Sequence, residues 1–137
     1  MKAGIAVALA AIVAGGCMNE TSRVPRRVTD PGGGTTRLEI SVSIRGSESL
    51  TRVWTLGCPG ESTLPDPERA CRRLSALKDP FAPVPEGVAC TQIYGGPQVA
   101  DVRGTFRGDP VSARFSRENG CEIARWNRVR FLFPAGG

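Results

Sequence analysis

The chain has 137 residues, a formal net charge of +5 and no histidine. Its length fits one domain with additional terminal segments. Without histidine there can be no Ser-His-Asp triad, and a cysteine nucleophile would lack its usual base, so we expect no enzyme activity. The charge is mild and the arginines are scattered without a dense basic stripe, which argues against nucleic-acid binding.

The N-terminus has the features of an export signal. Residues 3–13 form an apolar run that is shorter than the roughly 20 residues a membrane-spanning helix needs, and it fits the core of a signal peptide. The run leads to Cys17, which follows three small residues, as in a bacterial lipobox. We therefore expect a signal peptide over residues 1–16, lipidation of Cys17 and display on the outer face of the cell membrane. Ordinary cleavage and free secretion is the alternative.

The segment after Cys17 predicts a tether. Residues 18–22 are polar, and residues 30–34 have the sequence DPGGG, in which proline lacks a donor and glycine is conformationally permissive. Such a composition predicts a flexible linker behind the lipidated N-terminus, over residues 17–34. The folded domain is expected over residues 35–134, followed by a short tail at 135–137.

The first half of the domain predicts a hairpin and a helix. Apolar and polar residues alternate from position 38 to 44, which indicates a half-buried strand. A second strand is predicted at residues 53–56, paired with the first. A helix should begin at Asp66, which can cap it, with Pro67 in its first turn. It should end before Pro80.

The second half of the domain predicts mainly strands. Residues 99–107 and 111–115 flank a Gly-Asp-Pro turn signal. In residues 128–133, Val129, Phe131 and Phe133 alternate with Arg128, Arg130 and Leu132, which favours a strand. Residues 119–125 can form a second short helix. Because no strand–helix–strand repeat is evident, the sequence predicts an α+β fold with an antiparallel sheet of about five strands and two short helices.

The cysteines predict two disulfides in an oxidising compartment. Loss of Cys17 to lipidation or cleavage leaves an even set at Cys58, Cys71, Cys90 and Cys121. The count by itself leaves three pairings open, and each closed loop would stabilise the fold by roughly 3–4 kcal/mol in the chain-entropy model. The cysteines contain no close CxxC pair, so we expect no zinc site, and no motif indicates another metal or a cofactor.

A set of residues spread over the domain carries a resemblance to a known family. These residues are Cys58, Cys71, Cys90, Thr91, Gln92, Ile93, Tyr94, Gly104, Gly108, Val111, Phe115, Asn119, Gly120, Cys121, Glu122, Phe131, Leu132 and Phe133. Through them, residues 35–134 resemble the subtilisin-inhibitor-like family of secreted actinobacterial serine protease inhibitors. The resemblance implies the disulfides Cys58 to Cys71 and Cys90 to Cys121.

The resemblance also implies a reactive peptide bond between Gln92 and Ile93. The bait loop, defined here as residues 89–94, then consists of Ala89 (P4), Cys90 (P3), Thr91 (P2), Gln92 (P1), Ile93 (P1′) and Tyr94 (P2′). Thr91 stands where the family commonly has proline, and Gln92 where it often has methionine, lysine or arginine. The following Gly95 and Gly96 make this segment one residue longer than the family pattern.

The implied function is substrate-like inhibition of a subtilisin-type serine endopeptidase. That protease is the implied partner. A homodimer is also implied, because family members often associate through their sheets. The membrane would be contacted only through the N-terminal lipid. The alternative function is that of a surface lipoprotein that keeps the inhibitor fold but binds a different partner without inhibiting a protease.

Overall fold

The computed structural model describes residues 34–134. The expected signal peptide over residues 1–16, the lipidation site Cys17, the linker up to residue 33 and the tail at 135–137 lie outside the described residues. Within residues 34–134, none of the helices combines the length and the apolar character that a membrane crossing requires.

A four-stranded antiparallel sheet is the centre of the domain. Its strands are β1 (Thr36–Ile44), β2 (Ser47–Cys58), β3 (Gln98–Phe106) and β4 (Asp109–Phe115). They lie side by side in the order β2-β1-β3-β4, so β1 and β3 are central and the other two are edge strands. The β1–β2 and β3–β4 pairs are hairpins, as the sequence predicts.

One face of the sheet is buried because apolar residues occupy alternate positions on its strands. Ile40 lies at the centre of β1, opposite Trp54 on β2 and Val102 on β3, and it is fully buried. Two helices and the C-terminal segment cover this face, contributing Trp126 and Phe133 to the same core. The alternation that predicts β1 therefore also determines which face carries the core.

Each helix begins at a side-chain cap. Helix α1 (Pro67–Ser75) starts after Asp66, whose carboxylate accepts a hydrogen bond from the backbone N–H of Arg69 at 3.2 Å. Helix α2 (Gly120–Val129) starts after Asn119, whose side-chain oxygen accepts one from the N–H of Glu122 at 3.0 Å. Both caps satisfy N–H groups that have no partner within the helix.

The predicted α+β class is confirmed, but the sheet has four strands and not about five. The strand predicted at residues 128–133 is wrong, because α2 continues to Val129 and a 3-10 helix follows at Arg130–Leu132. The helical path buries Val129, Leu132 and Phe133 in the core. Alternation of apolar residues over so short a segment fits a strand equally well, and packing against the covered face of the sheet decides for the helix.

The two ends of the sheet are occupied by different parts of the chain. At one end the start of the described chain meets the β3–β4 turn, where the carbonyl of Thr35 accepts a hydrogen bond from Gly108 N–H at 3.2 Å. At the other end, Arg45 in the β1–β2 turn donates its N–H to the carbonyl of Pro97 at 2.9 Å, just before β3. The nine residues of β1 separate these ends, which is roughly 30 Å at about 3.3 Å per residue.

Candidate functional site

The bait loop lies at the sheet end that carries the β1–β2 turn. Residues 88–96 form neither helix nor strand and lead directly into β3. Gln92 is exposed, and Ile93 and Tyr94 expose 59% and 66% of their surface. The predicted P1, P1′ and P2′ residues are therefore all accessible to a macromolecule.

A disulfide and a backbone hydrogen bond attach the N-terminal side of the bait loop to α2. Cys90 is bonded to Cys121, in the first turn of that helix. The carbonyl of Thr91 accepts a hydrogen bond from Gly120 N–H at 2.9 Å. Gly120 lies so close that an added Cβ would overlap the hydroxyl of Thr91. The predicted P3 and P2 residues are thus held at the helix N-terminus.

A second attachment lies on the other side of the predicted reactive bond. Gly95 donates its N–H to the carbonyl of Arg117 at 2.7 Å. A Cβ on Gly95 would lie 2.9 Å from Cδ1 of Ile123 on α2 and 3.2 Å from Cβ of Arg117, both closer than carbon atoms tolerate without movement. Glycine fits this position without a shift of its neighbours, whereas a larger residue would force one.

Arg45 in the β1–β2 turn supports the contact between Gly95 and Arg117. Arg45 donates its backbone N–H to Pro97, and its guanidinium pairs with the carboxylate of Glu118 at 2.9 Å. Pro97 follows the bait loop, and Glu118 follows Arg117. Arg45 thus contacts both segments that meet at Gly95: the one that follows the bait loop and the one that follows Arg117.

The side chain of Gln92 contacts its own loop. Its Nε2 donates a hydrogen bond to the carbonyl of Cys90 at 3.2 Å. The contact is exposed, so water replaces it at little free-energy cost when the side chain swings outward. Gln92 is therefore free to enter a pocket on a partner, and its departure also frees the Cys90 carbonyl for a backbone hydrogen bond.

The second disulfide lies away from the bait loop. Cys58 at the end of β2 is bonded to Cys71 on α1, with 5.8 Å between their Cα atoms. This end of β2 is paired with Thr36, at the sheet end where the described chain begins. Both disulfides implied by the resemblance are present, and one of them is attached to the bait.

The sequence did not indicate three residues that shape the site. Arg45, Arg117 and Ile123 contact the bait segment or its supports, yet none belongs to a recognisable motif. The one available signal was the glycine at position 95, since a glycine beside an exposed loop often marks a close approach of backbone. Among residues 34–134, no group of three or more cysteine, aspartate or glutamate side chains is arranged to hold a metal ion.

Comparisons with known proteins gave a structural similarity. No protein-family model matches the chain, and no curated protein matches it. Among solved structures, the chain is similar to one described as the crystal structure of Streptomyces caespitosus sermetstatin in complex with Bacillus licheniformis subtilisin. The match covers 74% of this chain and 99% of that chain, with 21% sequence identity and a TM-score of 0.48.

Proposed function

We propose that the protein is a substrate-like inhibitor of subtilisin-type serine endopeptidases, with the reactive bond between Gln92 and Ile93. The observation that carries the proposal is the attachment of an exposed loop on both sides of that bond. Cys90 is held by its disulfide and Gly95 by its hydrogen bond, while the residues between them are open to solvent. Such an inhibitor needs a reactive bond that the protease can reach and a loop backbone that is restrained on both sides of it, and this loop meets both requirements.

The bait loop would occupy the substrate cleft as an added strand, pairing with the enzyme through its backbone. Gln92 would enter the S1 pocket. The enzyme's serine oxygen would attack the carbonyl carbon of Gln92, and the amine of Ile93 would be the leaving group. Because both new ends stay attached to the same body, that amine can attack the acyl-enzyme again and restore the bond. Religation then competes with hydrolysis.

Restraint of the loop is the source of affinity in this mechanism. Fixing the backbone of one residue costs about 1–2 kcal/mol, so an unattached peptide would lose roughly 4–8 kcal/mol in ordering the four positions from 91 to 94. The folded domain has already ordered the two sides of this segment through Cys90 and Gly95. The free energy that an unattached peptide would lose in ordering these residues therefore contributes to the affinity of the complex, as in other preorganised binders.

We also propose that the inhibitor is displayed outside the cell on a lipid attached to Cys17. The support is the small-residue run before this cysteine together with the geometry of the domain. The described chain begins at one end of the sheet, and the bait loop lies at the other, roughly 30 Å away along β1. A tether at the first end would leave the bait facing away from the membrane.

Titration against subtilisin tests the inhibitory function. We expect the oxidised protein to abolish activity at a near-stoichiometric ratio and to be cut slowly at one bond, after Gln92. Gln92→Asp should weaken inhibition by a hundredfold or more, because a carboxylate without a partner is costly to bury in the S1 pocket.

The matched control is Asn127→Asp, which adds the same charge at an exposed position of α2 outside the bait segment. It should inhibit as well as the wild type. Rapid digestion of the wild-type protein, or indifference of the enzyme to it, would instead favour the surface binding module.

A further inference from the structure

We propose that Gly95 and Arg117 are positioning residues that hold the primed side of the bait loop after the reactive bond is cut. This inference rests on the proposed inhibitory function and concerns the step that separates an inhibitor from a substrate. By keeping the new amine of Ile93 beside the acyl-enzyme, the contact between Gly95 and Arg117 favours religation over hydrolysis.

The two sides of the reactive bond are attached in different ways. On the Gln92 side, Cys90 is linked covalently to α2 through Cys121. On the Ile93 side, the described structure shows no disulfide before β3 begins, and the backbone hydrogen bond from Gly95 to Arg117 is the first attachment after the bond. Cleavage thus leaves the acyl end covalently restrained, while the position of the amine depends on a noncovalent contact two residues away.

The close packing at this contact favours glycine. Gly95 lies against Cγ1 and Cδ1 of Ile123, which an added Cβ would approach to 3.0 and 2.9 Å. Its backbone does not lie in the left-handed region, so alanine at this position would be disfavoured by the neighbouring side chains, which would have to shift, and not by the dihedral angles. The shift that an added Cβ would force acts at the residue whose N–H donates to the Arg117 carbonyl at 2.7 Å, so it would weaken this hydrogen bond.

Arg117 is itself fixed in place. Its guanidinium donates a hydrogen bond to Gln98 at the start of β3 at 3.3 Å, and it lies 6.0 Å from the ring centre of Trp126 in the core. Its Nε is buried, and it has no hydrogen-bond partner within residues 34–134. A group buried without a partner costs stability, so this side chain is not held there by its own hydrogen bonding alone. Its contact with the Trp126 ring adds to the hydrogen bond with Gln98 in holding the side chain in place.

Arg45 restrains both partners of the contact from the β1–β2 turn. It binds Pro97, two residues after Gly95, and Glu118, one residue after Arg117. The ion pair is exposed and contributes little to stability, so its main effect is to align the two segments. The primed side of the loop is consequently part of a small cluster that persists when the bond between Gln92 and Ile93 opens.

The test uses Gly95→Ala in the full-length oxidised protein. Protein and subtilisin are incubated to equilibrium, and the ratio of cut to intact protein is measured by mass spectrometry, starting from either form. We expect Gly95→Ala to raise this ratio at least tenfold and to slow religation by a similar factor. Adding Ile123→Ala removes Cγ1 and Cδ1, so the double variant should recover most of the religation. Poor religation in Gly95→Ala for any other reason would not be reversed by this second substitution.

The matched control is Gly108→Ala in the β3–β4 turn, at the opposite end of the sheet. An added Cβ there meets nothing within 4 Å, although the positive φ of +86° still strains the backbone. This variant should unfold at a lower denaturant concentration than the wild type and leave the ratio of cut to intact protein unchanged. It separates a general loss of stability from loss of the contact at Gly95.

Amide hydrogen exchange in the free protein gives a readout that needs no protease. The N–H of residue 95 should be protected in the wild type, unprotected in Gly95→Ala and protected again in the double variant. Fast exchange of this amide in the wild type overturns the inference, as does an inhibiting wild type whose ratio is unchanged by Gly95→Ala. Protection without any inhibition would instead refute the proposed function, and with it the role in religation, while leaving the contact itself established.

Discussion

The two disulfides provide a matched pair of perturbations with different expected effects on inhibition. One variant replaces Cys90 and Cys121 by serine, and the other replaces Cys58 and Cys71. The bonds close segments with sequence separations of 31 and 13 residues. In the chain-entropy model this corresponds to about 4 and about 3 kcal/mol of stability at 25 °C. The two variants should therefore unfold at similarly reduced denaturant concentrations.

Their inhibition constants should diverge, because only the bond from Cys90 restrains the bait loop. Without it, the N-terminal side of the loop keeps the hydrogen bond between Gly120 and Thr91 but loses its covalent attachment. If two of the residues from 91 to 94 regain backbone freedom, binding has to supply about 2–4 kcal/mol to order them again. That corresponds to a rise in the inhibition constant of roughly thirtyfold to nearly a thousandfold. Loss of the bond from Cys58, near the other end of the sheet, should change it by less than about threefold.

The assay measures stability and inhibition under one set of conditions. Urea unfolding is followed by fluorescence of the buried Trp126, and inhibition of subtilisin is titrated at a temperature where both variants are fully folded. Rapid cutting of the bait should accompany the loss of inhibition only in the variant at Cys90 and Cys121. Equal losses of inhibition by two fully folded variants would refute the reasoning, because overall stability and not attachment of the loop would then control binding.

Four further substitutions test the reactive bond, the helix that supports it and the membrane anchor. Gln92→Lys should create inhibition of trypsin-like enzymes, whose S1 pocket carries an acid, and a folded variant without it would contradict the assignment of P1. Asn119→Ala should lower the free energy of unfolding by about 1 kcal/mol and weaken inhibition several-fold, because it removes the cap of the helix that holds the bait loop. Asp66→Ala removes the cap of α1 and should lower stability without affecting inhibition. Equal effects of the two variants on inhibition of subtilisin would contradict this. Cys17→Ser should move the protein from the membrane fraction to the medium, and soluble wild-type protein without lipid mass would disprove the anchor.

Local sequence patterns predicted much of the fold because they reflect interactions between residues that are close in the chain. The alternation over residues 38–44 reflects a strand with one buried face, and the structure extends it to Thr36–Ile44. Asp66 followed by proline predicted the start of α1, since a capping side chain and a fixed φ both favour the first turn of a helix. In each case the signal lies within a few residues of its consequence.

The prediction at residues 128–133 failed because its pattern was too short to distinguish two periods. Val129, Phe131 and Phe133 alternate as in a strand, yet Val129, Leu132 and Phe133 also follow helical spacing. The choice depends on what the segment packs against. Trp126 and Phe133 meet with ring centres 4.6 Å apart over the covered face of the sheet, and this contact requires the helical path.

By itself, the sequence determined an even set of cysteines in the domain, an alternating strand pattern with one buried face and the cap at which α1 begins; the bait loop around Gln92 was implied only by the family resemblance. These properties depend on residue type and on spacing along the chain. Only the tertiary structure decided that Gly95 would donate a hydrogen bond to the carbonyl of Arg117. It also decided that Arg45 would contact the segments that follow each of these two residues. The reason is physical: these contacts join residues far apart in the chain, and their positions follow from the register of β1 against β3 and from the placement of α2 on the sheet.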